Sequence, residues 1–255
     1  MKIALHQGPA IGGATEEAFA VIESRLAAAA AAGARMAVFP ELYLPGYNRP
    51  DLHGALAQPV DSAWDGRLAG LARAAGCGLT IGWAERDGDA VYNAASCFSP
   101  AGERIAHYRK IQLFGPMENA SFRPGGDYCL FELEGMKTAL LICYDVEFAA
   151  HCRALAERGA DLILVPTANP AGFEYVSQIL VPARAVEMGL TIAYANYCGT
   201  EGDIAYGGHS VIAGPDGRAL VAAGPGEAFL VADLAANSAI PQTRLSRQLE
   251  DYRAL

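Results

Sequence analysis

Short apolar or β-branched runs alternate along this chain with longer segments of helical period, a pattern that belongs to α/β proteins and not to all-β ones. Ile3-Ala4-Leu5 reads as a short strand. Thr15 is the expected N-cap of the first helix, with Glu16 and Glu17 in its first turn; Phe19, Ile22 and Leu26 recur at helical spacing, and Gly33 closes it. Met36 to Phe39 follows as a buried strand. A second helix is predicted from about Trp64 to Ala75, then strands at Leu79–Trp83, Tyr92–Phe98 and Arg104–Tyr108, the last two joined through Pro100-Ala101-Gly102. Further on, Lys137 to Ile142 is a continuous apolar strand, Phe148 to Glu157 a short helix, and Asp161 to Val165 a strand ended by Pro166. Gln178 to Met188 is helical by period despite Pro182. Leu190–Ala195, Ser210–Ala213 and Ala219–Val221 return to strand, with Gly214-Pro215-Asp216-Gly217 as a turn. No linker or low-complexity segment interrupts this order apart from the alanines Ala27 to Ala32, so a single domain over 1–255 is expected. The polar stretch from Pro241, carrying Arg244, Arg247 and Arg253, is expected as a surface tail or subunit arm.

Composition narrows the function classes. With 255 residues, 52% hydrophobic and 18% charged, the chain can bury one substantial core. A net charge of −9 and the lack of any lysine or arginine run argue against nucleic acid or anionic lipid as partner. The longest apolar runs fall far short of the ~20 residues that cross a bilayer, so no membrane span is expected. Met1-Lys2-Ile3-Ala4-Leu5 begins like a signal peptide, but His6-Gln7-Gly8-Pro9 breaks the apolar stretch, and a cytoplasmic location is the expectation. Cys77, Cys97, Cys129, Cys143, Cys152 and Cys198 form no Cys-x-x-Cys pair, so reduced thiols are expected in place of disulfides or a zinc site.

Three residues stand out because each ends a predicted strand. Cys143 follows Thr138–Ile142 and precedes a predicted helix, which puts its sulfur at the C-terminal edge of a sheet, where α/β ligand sites open. A helix N-terminus there would favour the thiolate; the alternative is a small buried hydrophobe. Glu41 follows Met36–Phe39 and Pro40, where desolvation would raise a carboxyl toward the range of a general base, unless it is a plain loop glutamate. Lys110 ends Arg104–Tyr108 in the same way, with a solvated lysine as its alternative. Together they supply nucleophile, base and cation, the roles that thiol attack on a carbonyl requires. The histidines His6, His53, His107, His151 and His209 are scattered and show no metal-ligand spacing, and His151 is expected on the helix after Cys143, facing solvent.

The surrounding motifs resemble those of the nitrilase-like carbon-nitrogen hydrolase superfamily. Phe39-Pro40-Glu41-Leu42 with Pro45-Gly46-Tyr47 is similar to its glutamate motif, Tyr108-Arg109-Lys110-Ile111-Gln112-Leu113-Phe114 to its lysine motif, and Leu141-Ile142-Cys143-Tyr144-Asp145-Val146-Glu147-Phe148 to its nucleophile motif. Supporting features run along nearly the whole chain: Asn93, Pro100 and Gly102, Arg123-Pro124-Gly125, Arg184-Ala185-Val186-Glu187, Gly208-His209-Ser210 and Pro215-Asp216-Gly217. The resemblance implies a four-layer α-β-β-α sandwich, a homodimer or larger homo-oligomer, and Glu118 as a fourth site acid. The segment Gly115-Pro116-Met117 is one residue longer than in the forms it resembles, which bears on where Glu118 falls.

The resemblance also implies a mechanism without metal or organic cofactor. Glu41 takes the Cys143 proton, the thiolate attacks the carbonyl of a small amide, Lys110 and the Tyr144 backbone N–H hold the oxyanion, and a thioester forms and is hydrolysed. Cys143-Tyr144-Asp145 resembles the amidase branches, whereas nitrilases place a tryptophan-glutamate pair after the cysteine. Hydrolysis of N-carbamoyl amines or amino acids is the alternative, followed by nitrile hydrolysis, acyl transfer and a noncatalytic binding module. Tyr47, Tyr144, Asn169, Pro170 and Phe173 are the expected pocket residues.

Overall fold

The computed structural model describes residues 1–253; the last two residues of the expected 1–255 domain lie outside the described residues. Fourteen strands form two six-stranded sheets and a small hairpin. The first sheet takes β1 (Lys2–Gln7), β2 (Met36–Val38), β3 (Gly78–Asp87), β4 (Ala90–Phe98) and β5 (Arg104–Arg109). The second takes β6 (Cys129–Leu133), β7 (Met136–Leu140), β8 (Leu162–Pro166) and β9 (Thr191–Ala195). After the hairpin of β10 (Thr200–Glu201) and β11 (Ile204–Ala205), β12 (Val211–Ala213) and β13 (Ala219–Ala222) complete the second sheet, and β14 (Ala228–Asp233) returns to the edge of the first. The orders are β14-β1-β2-β3-β4-β5 and β13-β12-β9-β8-β7-β6.

Each sheet has three adjacent parallel strands, β1-β2-β3 and β7-β8-β9, flanked by antiparallel ones. Parallel strands covered on both faces read as unbroken apolar runs, and Met36–Val38, Leu162–Pro166 and Thr191–Ala195 are buried at every residue. Ile3, Leu5, Met36 and Val38 of the first sheet share one core with Ala139, Ile163 and Val165 of the second.

Helices α1 (Thr15–Ala31) and α3 (Ala63–Ala75) cover the outer face of the first sheet through Phe19, Ile22, Leu26, Leu68 and Ala72. Helices α5 (Ala149–Glu157) and α6 (Val181–Met188) cover the second through Cys152, Leu155, Val181 and Ala185. The result is the four-layer α-β-β-α sandwich. Two short helices, α2 (Pro50–Leu56) and α4 (Gly115–Ser121), flank the loops at one end, and α7 (Gln248–Asp251) lies in the exposed C-terminal stretch. Among the described residues no helix is long and apolar enough to cross a membrane.

Three local expectations are corrected. Thr15 is the first helical residue of α1, not its N-cap: Ala14 occupies that position, and the Thr15 hydroxyl donates back to Gly13 O. Cys143 does not abut an α-helix. It opens a 3-10 turn, Cys143–Glu147, and α5 begins only at Ala149. His151 is half-buried and does not face solvent: it lies between the Tyr128 hydroxyl, 2.7 Å from Nδ1, and the Gln112 side chain, 3.0 Å from Nε2.

Candidate active site

The strand ends place the site. β2 stops at Val38, and the chain then crosses toward the second sheet. Phe39 N–H bonds Thr80 O at 2.8 Å, Gly82 N–H bonds Pro40 O at 3.2 Å, and Glu41 N–H bonds Thr167 O at 3.3 Å. Glycine is required at 82 by close approach: a Cβ there would stand 2.5 Å from Leu42 N and 2.6 Å from Glu41 Cα. Glu41 is thus pressed onto β3 and tied to the loop after β8. Lys110 follows β5 directly, its N–H bonded to Asn93 O at 2.8 Å and its carbonyl accepting Gly125 N–H at 2.7 Å.

These ends bring Glu41, Lys110 and Glu118 into one ion cluster with no exposed surface. Lys110 Nζ donates to Glu41 Oε1 at 2.6 Å and to Glu118 Oε1 at 2.7 Å. Asn93 Nδ2 also donates to Glu41 Oε1, at 2.7 Å, while Glu41 Oε2 is buried without a partner. Glu118, on α4, accepts the Phe114 N–H at 3.1 Å and the Tyr47 hydroxyl at 2.7 Å. Cys143 keeps 7% of its surface exposed, and it is the sole member of the four that solvent touches.

Electrostatics follow from burial. Desolvation lifts the Glu41 carboxyl to about 7; Lys110 pulls it down and Glu118 pushes it up. Burial alone would drive Lys110 toward the neutral amine, but Glu41 and Glu118 outweigh it and hold the ammonium well above its ordinary range. Burial also pushes the Cys143 thiol well above its usual value; Glu41 adds to this and Lys110 opposes it. The resting sulfur is therefore a neutral thiol, and attack needs a base at hand. A carboxylate poised near neutrality with one free oxygen is suited to that transfer.

The Cys143 turn is strained and clamped. Cys143 sits at φ 44°, in the left-handed region that costs a non-glycine residue of order 1–3 kcal/mol. Asp145, fully buried, holds the turn by accepting Ile142 N–H at 3.0 Å, Gln112 N–H at 2.7 Å and the Tyr108 hydroxyl at 2.9 Å. One carboxyl thereby joins the Cys143 segment to the segment that carries Lys110.

The expected pocket residues divide. Tyr47 is buried and spends its hydroxyl on Glu118. The Asn169 side chain donates to Phe173 O at 2.8 Å, and its N–H bonds Asn196, so it shapes its own loop. Tyr144 and Phe173 are half-exposed and meet across Phe114, whose ring centroid lies 5.2 Å from Tyr144 and 6.1 Å from Phe173. Pro170 pairs with Tyr206 across a β-bridge. Sequence reasoning missed the contacts of Phe114 with Tyr144 and Phe173, Tyr197, whose hydroxyl donates to Glu41 O at 2.9 Å, and the orienting bonds of Asn93. The advance signals were Asn93, through its place ahead of the lysine motif, and Phe114, at the end of that motif. Among the described residues, no group of three or more histidine, cysteine, aspartate or glutamate side chains is arranged to hold a metal ion.

Known proteins resemble this chain in sequence and in fold. Residues 2–243 match the family model described as carbon-nitrogen hydrolase. A Pseudomonas protegens protein described as "Hydrolase in pqqF 5'region" is 42% identical over 226 residues, covering 88% of this chain and 79% of its own. An (R)-stereoselective amidase from Pseudomonas sp is 31% identical, covering 84% and 77%. An amidase from Nesterenkonia sp. AN1, solved with acrylamide added to its active-site cysteine, superposes with a TM-score of 0.90 at 37% identity, over 99% of this chain and 96% of that one. A cysteine-to-alanine form of that amidase, in complex with butyramide, gives 0.89 at 38%, over 99% and 94%. With family match, fold and buried Glu-Lys-Glu cluster in agreement, this chain belongs to the carbon-nitrogen hydrolase family of the nitrilase superfamily.

Proposed function

We propose that this protein is a cysteine-dependent amidase that hydrolyses a small, uncharged primary amide to a carboxylate and ammonia through a thioester on Cys143. The observation that carries the reading is the division of labour on Glu41: Oε1 is fixed by Lys110 and Asn93, and Oε2 is left without a partner. Glu41 takes the thiol proton, and the sulfur forms a bond to the carbonyl carbon. The developing oxyanion is met by Lys110 and the Tyr144 N–H; each such donor contributes about 3–4 kcal/mol. When the C–N bond breaks, Glu41 passes its proton to the nitrogen and ammonia leaves. Water then attacks the thioester, Glu41 receives its proton and returns it to the departing sulfur, and Glu118 keeps Lys110 in place through both halves.

Two features support a small neutral substrate. Only Cys143 of the four groups has any exposed surface, so the site admits little bulk. The half-exposed residues beside it, Phe114, Tyr144 and Phe173, are aromatic and offer an apolar wall to an acyl group. The butyramide and acrylamide bound by the Nesterenkonia amidase are of this kind. Ammonia release from a panel of aliphatic amides, N-carbamoyl amines and nitriles, by wild type and Cys143→Ala, tests the reading. Turnover of aliphatic amides by wild type alone is expected. Turnover confined to carbamoyl compounds, with carbon dioxide released, would replace amidase by carbamoyl hydrolase.

A further inference from the structure

We infer that Glu201 is a positioning residue that sets the Glu118 carboxyl and the backbone of Glu41 from outside the site; the inference rests on the roles proposed for those two groups. Glu201 ends β10 in the hairpin that packs over the loops after β2 and β8, and it is 5% exposed. Its Oε2 accepts Asn48 N–H at 2.7 Å and the Tyr206 hydroxyl at 2.7 Å. The Asn48 side chain answers with bonds to Glu201 O and Asp203 Oδ1, both at 2.7 Å. Three of these bonds fasten the hairpin segment to Asn48, the residue that follows Tyr47, and the fourth ties Tyr206 to the same carboxyl.

The two bonds to Oε2 lead to the site, one to the Glu118 carboxyl and the other to the backbone of Glu41. On one side, fixing Asn48 fixes Tyr47, whose hydroxyl donates to Glu118. On the other, Tyr206 packs its ring edge-on to Tyr47, centroids 6.5 Å apart, and against Tyr197 at 4.9 Å, and the Tyr197 hydroxyl donates to Glu41 O. The backbone at 46 is shaped to receive the carboxyl. Gly46 has φ 129°, and a Cβ there would stand 2.5 Å from Glu201 Oε1, so a side chain at 46 would be strained and would displace that carboxyl. Glu201 Oε1 itself is buried without a partner, so the group acts through Oε2 as a double acceptor.

That last point makes the role testable. Glutamine can set its carbonyl oxygen where Oε2 stands and its amide nitrogen where no partner is lost, so Glu201→Gln preserves the fastening; Glu201→Ala removes it. Two rates are read: ammonia release from butyramide, and alkylation of Cys143 by iodoacetamide, followed by peptide mapping, which requires no amide turnover. Glu201→Ala is expected to slow both about tenfold or more, because a displacement of about 1 Å at a site costs up to ~10²-fold. Glu201→Gln should stay within about threefold of wild type, and Glu201→Ala should add less than about twofold in a Tyr47→Phe/Tyr197→Phe background, where the hydroxyls at the ends of both branches are already gone. Wild-type rates in Glu201→Ala, a Glu201→Gln as slow as the alanine form, or losses that multiply in that combined variant would each overturn the inference. If Glu201→Ala does not fold, Tyr206→Phe carries the test: a few-fold slowing that disappears in the Tyr47→Phe/Tyr197→Phe background supports the inference, and a multiplying loss overturns it. Should wild type release no ammonia while the alkylation rates follow this pattern, the amidase reading fails and the positioning role stands.

Discussion

Replacing Lys110 with methionine is the most informative single perturbation of the site. The ammonium lies 2.6 Å from Glu41 Oε1 and 2.7 Å from Glu118 Oε1, and none of the three side chains is exposed. Without it, two carboxyls no further apart than those contacts allow would share a dry site with no counter-charge. Breaking a buried ion pair from one side costs about 3–5 kcal/mol. At ~2–4 °C per kcal/mol for a chain of this size, Lys110→Met should melt roughly 6–20 °C below wild type near neutral pH. The sign with pH follows from the carboxyls. Glu41 is already raised by burial and in the variant would lose the ammonium that pulls it down, so the folded form binds more protons than the unfolded one and its stability rises as pH falls. The deficit in Tm, measured by circular dichroism, should therefore shrink between neutral and mildly acidic pH. A deficit below about 2 °C, or one that widens on acidification, would refute the view that Lys110 compensates two buried carboxylates.

Other consequences are equally specific. Because Glu41 must be ionised to act as base and its carboxyl sits at about 7, kcat/KM should climb about tenfold per pH unit below neutrality and level off above it; a flat profile, or a rate that falls through this range, speaks against Glu41. Asp145→Ala strands three buried donors at about 1–3 kcal/mol each, so both Tm and the alkylation rate of Cys143 should fall, with Asp145→Asn intermediate; an unchanged alkylation rate would separate Asp145 from the nucleophile turn. Leu26→Ala, in the core beneath α1, should cost roughly 2–5 kcal/mol while leaving the midpoint of the pH profile in place; a shifted midpoint would mean that packing under α1 reaches the site.

The layers of the fold were legible in the sequence because strand and helix periods alternate cleanly from Ile3 to Ala195, and the strands that carry Glu41, Lys110 and Cys143 lie among the strongest apolar signals. The less visible strands were the peripheral ones. β6 and β14 are mostly half-buried edge strands, so neither an alternation nor a fully apolar run marks them. The β10–β11 hairpin has two residues per strand and is fixed by contacts with Asn48 and Asn169, which are remote in sequence. Strand position also suggested a helix N-terminus at Cys143. The chain spends that turn on Asp145 and a left-handed Cys143 instead, and the positive charge near the sulfur comes from Lys110. Which side chains bridge the site residues is a question of distance between segments more than 50 residues apart, such as Glu41 with Asn93 and with Tyr197, and local periodicity carries no such information.

The most direct test of the central claim is to mix the protein with butyramide, quench in acid, and read intact mass followed by peptide mapping. One butyryl group on Cys143 is expected in wild type, none in Cys143→Ala, and a slower build-up in Glu41→Gln, which lacks the base proposed to take the thiol proton. Ammonia release from wild type with no acyl group on Cys143 at any quench time, or turnover that survives in Cys143→Ala, would contradict it.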